Sequence, residues 1–349
     1  MKKRILSIVL SIVMLVGLLP TTALAADTYT IYIAGLAMTA SADGSAVSYY
    51  VNGVEGAAGT VTDTEPQSGW NAKLSYDTAE QTLVLEADGL VAPSTTVDGW
   101  TDGYGNCYGA IYSPDAPLKI VLKNNPSTIG SSGSNSGSGH GIYSAMALTI
   151  DIEVSGNNVT APGKSTKNSG SWGIRGGGNI VINSSDPSYT LEASASGGSC
   201  GYTYGIFSNG SITFNGGTVR ATGGSGSSGN DVGISAKGIT VNSGATVYGT
   251  GGSNGLRSYG FELGGFKTME VNDGAAVYAT GGTGGSSSAG IDLSGNLVIN
   301  GGIFEAKGQS ATNGSYGVSG DARGSFSING GQVTLSASAM DGFKFSHWE

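Results

Sequence analysis

The chain has 349 residues, 62 of them glycine, with 25 acidic and 16 basic side chains and a formal charge of −9. A surface of that sign repels nucleic acid and anionic lipid, and so much glycine excludes helix-bearing repeats. Glycine and serine in such amounts also suit a disordered low-complexity tract, but aliphatic triplets recur between the Gly/Ser stretches and supply burial that a disordered chain lacks.

In chain order, Lys2, Lys3 and Arg4 precede an apolar run from Ile5 to Leu19, a helix-breaking Pro20 and the small-residue pattern Ala23-Leu24-Ala25. Residues 1–25 therefore read as a secretory signal peptide cut after Ala25, with an uncleaved anchor as the alternative. Losing its three basic residues takes the formal charge from −9 to −12. Nothing later could span a bilayer, so the expected location is secreted or extracellular.

Residues 26–105 alternate polar and apolar at Tyr29–Ile33, Val47–Val51, Lys73–Tyr76 and Thr82–Leu85, as half-buried strands do. The last two runs, joined through Asp77–Gln81, form a hairpin or a first irregular rung. The region reads as an all-β cap over the open edge of a stack, or else as a separate sugar-binding β-sandwich near the lower size limit of a domain.

Residues 106–337 carry the dominant signal. A glycine paired with an aliphatic residue returns at Gly109 with Ile111, then at Gly141-Ile142, Gly173-Ile174, Gly205-Ile206, Gly233-Ile234, Gly260-Phe261, Gly290-Ile291 and Gly317-Val318, in steps of 32, 32, 32, 28, 27, 30 and 27 residues. Such spacing marks a solenoid. Each repeat holds three alternating segments: one after the glycine, one ending in asparagine (Ile212-Thr213-Phe214-Asn215 is typical), and one after a tight glycine turn (Val219-Arg220-Ala221). Three strands per turn without a helical period specify an all-β, right-handed parallel β-helix of about eight rungs. A rung cannot bury its apolar face alone, so stability is nearly a sum over neighbouring interfaces and both ends need covering.

Cys107 and Cys200 fall about three rungs apart, roughly 14 Å, which is twice the reach of a disulfide. Two unpaired thiols with a packing role are expected. Only His140 and His347 exist, which removes His-based triads and His-rich metal sites, and the Gly-rich stretches, such as Gly223 to Asn230 and Gly281 to Ser288, are connectors without a phosphate-binding Gly-Lys motif. No cofactor is expected.

Four axial files are candidates for more than packing. Asn183, Asn215, Asn242, Asn272, Asn300 and Asn329 stack one per rung and read as a structural amide ladder. Tyr108, Trp172, Tyr204, Tyr259 and Tyr316, with His140, precede the marker glycine. They form either a sugar-stacking stripe or, being on the face of the buried aliphatic, part of the core or corner. The outward position of the third strand reads Glu192, Arg220, Tyr248, Tyr278, Glu305 and Thr334. Arg220, Tyr248, Tyr278 and Glu305 there form a ligand-binding candidate, since tyrosine suits a pyranose ring, against a solvated strand face. The outward position of the first strand brings Glu262 and Asp292 onto consecutive rungs, with carboxylates about 5 Å apart. That suits a retaining glycosidase pair, a Ca²⁺ ion, or an innocent solvated pair.

The segment from Ile31 to Leu85, with Ser75-Tyr76-Asp77 and Thr82-Leu83-Val84-Leu85, followed by Gly141-Ile142-Tyr143-Ser144 and Leu148-Thr149-Ile150, resembles secreted Gram-positive bacterial β-helix surface proteins. Those are described as carbohydrate-binding-domain-containing and sit in the broad pectate-lyase-like fold group. Residues 338–349, with Gly342-Phe343-Lys344-Phe345-Ser346-His347-Trp348, resemble the start of a C-terminal bacterial surface repeat, truncated here. The resemblance implies fold and surface location, and no catalytic residue carries over. Expected, then, is a non-catalytic, monomeric binder of extracellular polysaccharide or of glycans on host or neighbour surfaces. Its contact area would be the third-strand face with the Gly/Ser loops beside it, and a wall anchor would lie beyond Glu349. The alternatives are a polysaccharide lyase or glycoside hydrolase using Glu262 and Asp292, and a spacer that displays a C-terminal module.

Overall fold

The computed structural model describes residues 30–33, 36–38, 47–51, 61–62, 72–77, 81–87, 91–92, 95–101 and 106–338, the last apart from 124–127, 131–133, 136, 162, 165–169, 196–200, 226–227, 266, 284 and 321–323. The signal-peptide reading of residues 1–25 and Cys200 lie outside the described residues, as does all but Ser338 of the surface repeat. No helix occurs among the described residues.

The coil is a parallel β-helix of three sheets. Its first sheet stacks eight parallel strands, from Asn106–Ser113 and Gly139–Ser144 through Tyr202–Ser208 and Arg257–Leu263 to Gly314–Gly320. The second runs from Thr82–Ala87 to Phe326–Ile328 and the third from Val91–Ala92 to Gln332–Ser336. Register is one repeat per rung: Ile174 pairs with Ile206, Ile206 with Ile234, Ile234 with Phe261 and Phe261 with Ile291. All five side chains are fully buried in one continuous core. Each contributes about 1.5–3 kcal/mol by leaving water, and every interior layer is shared by two rungs.

Two kinds of glycine set the corners. After Asn215, Asn242, Asn272, Asn300 and Asn329 the chain turns sharply into the third sheet, and the third residue of that turn is left-handed: Gly244 has φ 80°, and Ala245 N–H donates to Asn242 O at 3.1 Å. Glycine adopts that conformation without a Cβ penalty. The marker glycine serves differently. A Cβ on Gly205 would lie 2.5 Å from Thr222 N, and one on Gly233 the same distance from Thr250 N. Here the first-sheet strand leans directly on the end of a third-sheet strand.

The asparagine file is a hydrogen-bonded ladder. Asn215, Asn242, Asn272, Asn300 and Asn329 each donate through Nδ2 to the Oδ1 of the asparagine one rung before, at 2.6–3.0 Å. Asn183 passes the chain to Asp151 Oδ1 at 2.7 Å, and Asp151 pairs with Lys119 at 2.9 Å. An amide file thus ends on a carboxylate acceptor and a cation.

At the first edge, Ile31–Ile33 and Thr95–Thr101 both run antiparallel to Asn106–Ser113. Thr82–Ala87 is the second arm of a hairpin with Ala72–Asp77 and also pairs in parallel with Leu118–Lys123, so it is hairpin and first rung at once. Ile31, Ile33, Leu83 and Leu85 enter the common core at zero exposure. At the opposite edge Phe326, Ile328 and Leu335 are 49%, 51% and 47% exposed, because they lie in the last described layer.

Candidate functional site

Aromatic residues form axial files on the outer faces of two sheets. On the first sheet, Trp172, Tyr204, Val232, Tyr259 and Ala289 were expected on the face of the buried aliphatic. They belong instead to a cluster of their own, joined by Phe207 from the outward position. The glycine explains the difference. It leans inward beside the aliphatic that follows it, which breaks the period-2 alternation and sends the preceding residue to the outer side. There the rings pack together: His140 stacks on Trp172 at 4.9 Å and on Tyr143 at 5.1 Å, and Tyr204 meets Phe207 in a tilted contact at 5.1 Å. The Arg175 guanidinium sits over Trp172 at 4.5 Å and over Tyr143 at 4.8 Å. His140 is wholly buried and its pKa falls well below the ordinary value, through desolvation and then the nearby Arg175 charge. It is a neutral ring in a stack.

Tyr108 also departs from its expected place. His140 pairs with Gly109 and Gly139 with Tyr108, so the first step is 31 residues and Tyr108 sits one file over. Its role in the stack is taken by Trp100, which lies 4.0 Å from Tyr112 and 4.9 Å from His140, over Gly109, where a Cβ would be 2.9 Å from the indole. Cys107 is buried as a thiol in the cluster with Trp100.

Further along the same face the aromatic character gives way to carboxylates. Glu262 and Asp292 are register partners on adjacent strands, both half-buried. Glu262 accepts from Ser235 Oγ at 3.0 Å and Asn230 Nδ2 at 3.1 Å. Burial pushes its pKa up and the Asp292 charge adds to the rise, against the pull of Ser235, Arg257 and Asn230. Asp292 is raised by burial and held back by Ser319 and Arg257. The tyrosines beside the pair are raised as well, Tyr204 and Tyr259 chiefly by burial. Arg257 and Asn230, three residues before their marker glycines, are partners that the outward-position file could not reveal. Among the described residues no group of three or more His, Cys, Asp or Glu forms, so the pair gains no third ligand of those types.

The third sheet presents the other aromatic file. Val219, Ala221, Val247 and Val277 point into the core, which turns Arg220, Tyr248, Tyr278 and Glu305 outward as register partners. Tyr248 and Tyr278 stack with centroids 4.8 Å apart and planes 11° from parallel, and Arg220 caps Tyr248 at 4.0 Å. Their ring faces are therefore turned along the coil axis onto one another, and the file offers edges and phenol hydroxyls to the outside. Arg220 and Glu305 are exposed and the two tyrosines half-buried.

Two residues further along each strand, on the same face, lies a second file: Thr222, Thr250 and Thr280. These threonines form one wall of an open groove of about 380 Å³, whose other wall is the Gly/Ser loop leading to the next rung, with Ser225, Ser253 and Thr283, and Gln309 at one end. The loops are tied to each other, Ser225 Oγ lying 2.7 Å from Ser253 Oγ. Gly223, Gly251 and Gly281 extend the sheet ladder into the groove by donating to Thr250, Thr280 and Lys307 carbonyls at 2.8–2.9 Å. The sequence signal for this groove is the threonine that follows Arg220-Ala221, Tyr248-Gly249 and Tyr278-Ala279.

Geometry thus defines a parallel β-helix with one outer face packed shut by aromatic rings and another bearing an open, hydroxyl-lined groove. Comparison with protein-family models, with curated proteins and with solved structures returns no match for this chain.

Proposed function

We propose that this is a secreted or cell-surface, non-catalytic β-helix protein that binds carbohydrate or mediates adhesion as a monomer, using the outer face of the third sheet. The observation that supports the reading is the ladder Arg220–Tyr248–Tyr278 beside the groove. Stacked rings lose little conformational freedom on binding and present hydroxyls at fixed intervals, which favours polyhydroxylated ligands. The resemblance to Gram-positive surface β-helices of the pectate-lyase-like group points the same way. The test is retention of the full chain on polysaccharide affinity gels, with Tyr248→Ala and Tyr278→Ala as comparisons. Retention by the parent and loss in the variants supports binding here, and no retention on any glycan leaves a spacer.

A second reading, a polysaccharide-cleaving enzyme, draws on Glu262 and Asp292, whose raised pKa values and nearby Arg257 are features that general acids share. It requires polysaccharide turnover that falls about a hundredfold or more in Glu262→Gln and in Asp292→Asn, the low end for losing a general acid or base. Turnover unchanged in both would remove it.

A further inference from the structure

The groove's chemistry repeats from rung to rung, and that repetition says what fits it. Thr222, Thr250 and Thr280 occupy equivalent positions on successive strands, and Ser225, Ser253 and Thr283 follow them on the loop side. Equivalent hydroxyls thus recur every ~4.8 Å along the axis. A small compact ligand uses such a row once. A linear polymer whose own repeat is about one sugar ring uses it at every rung.

Charge narrows the class further. On a chain of formal charge −9, the side chains lining this groove are threonine, serine, glutamine and glycine, with no charged group among the described residues. The charged groups of the face stand outside it: Arg220 is stacked on Tyr248, and Glu305 and Lys307 lie on the following strand. Within the rungs that line the groove a carboxylated or sulfated chain would meet no cation, Lys307 following in register with Thr280 only at its end, while the surrounding field repels it. An uncharged chain would meet donors and acceptors only.

Building on the carbohydrate-binding reading above, we infer that the groove beside the third sheet takes an uncharged linear polysaccharide laid parallel to the coil axis, between the threonine file and the Gly/Ser loop, with the tyrosine file flanking the threonines. Sugar hydroxyls then pair with the threonine and serine files.

The experiment is a glycan array carrying uncharged linear chains (glucans, mannans, galactans, xylans) and charged ones (polyuronates, glycosaminoglycans), probed with the full chain at low and high salt. Expected is binding to at least one uncharged chain with little salt dependence, weakened roughly tenfold in the double variant Thr250→Val/Thr280→Val, as losing two neutral hydrogen bonds implies. Ser253→Trp, at the loop wall, is expected to abolish binding by filling the groove, with the melting temperature unchanged. Binding confined to charged glycans and weakened by salt would overturn the inference while leaving the carbohydrate reading intact. So would binding to an uncharged chain that both sets of variants leave unaltered. Absence of binding to every glycan would remove the parent reading as well.

Discussion

The outer faces of the first and third sheets both carry aromatic files along the axis, and they differ in what lies against the rings. On the first sheet His140, Tyr204 and Tyr259 are 0%, 8% and 5% exposed, pressed among Trp100, Trp172, Arg175 and Phe207. On the third, Tyr248 and Tyr278 stack on each other with Arg220 over Tyr248, two residues before the threonines that line an open groove. An aromatic stripe in a repeat sequence therefore has two physical meanings. A shut face supplies stability, and an open one presents surface to a partner.

Substitutions can break or sharpen that contrast. The largest effect belongs to the core that both faces share: Phe261→Ala, at a fully buried position, is expected to cost about 3–5 kcal/mol in denaturant unfolding. Tyr204→Ala on the shut face follows at about 2–3 kcal/mol, from the apolar area it returns to water. Gly244→Ala, which forces a side chain into the left-handed region, costs about 1–2 kcal/mol and locates the turn's contribution independently of either face. Tyr248→Ala stays within about 1 kcal/mol in the same assay, since surface positions away from the core are tolerant. A Tyr248→Ala cost equal to that of Tyr204→Ala would erase the distinction between the two faces.

The smallest effect concerns pH. Glu262 and Asp292 hold their protons more tightly folded than unfolded, so in the window just above the ordinary carboxylate range the folded state carries more protons. Stability then falls as pH rises through that window and levels off above it. Glu262→Gln is expected to flatten this slope in melting curves taken across pH, and an unchanged slope would show that the pair does not titrate in this way.

Much of the molecule was legible in its sequence because a coil repeats its constraints. The asparagine spacing gave the second sheet and its ladder, and the step from Glu262 to Asp292 placed the two carboxylates side by side. The readings that failed did so where a local geometry interrupts the repeat. Alternation put Trp172 and Tyr204 on the face of Ile174 and Ile206, but the glycine between them bulges toward the third sheet and reverses the side. Counting put Tyr108 in the aromatic file, but the first step is one residue shorter than its glycines suggest, and Trp100 arrives from another strand. Ring orientation on the third sheet was not legible either, because it follows from the 4.8 Å stacking of Tyr248 on Tyr278.

One paired experiment tests the division of labour between the faces most directly: thermal midpoint and polysaccharide retention measured together for the double variant Tyr248→Ala/Tyr278→Ala and for Tyr204→Ala. The double variant should lose retention and keep its midpoint, while Tyr204→Ala should lower the midpoint and, below it, still be retained. A double variant that is retained like the parent chain would contradict the assignment of the third sheet as the binding face.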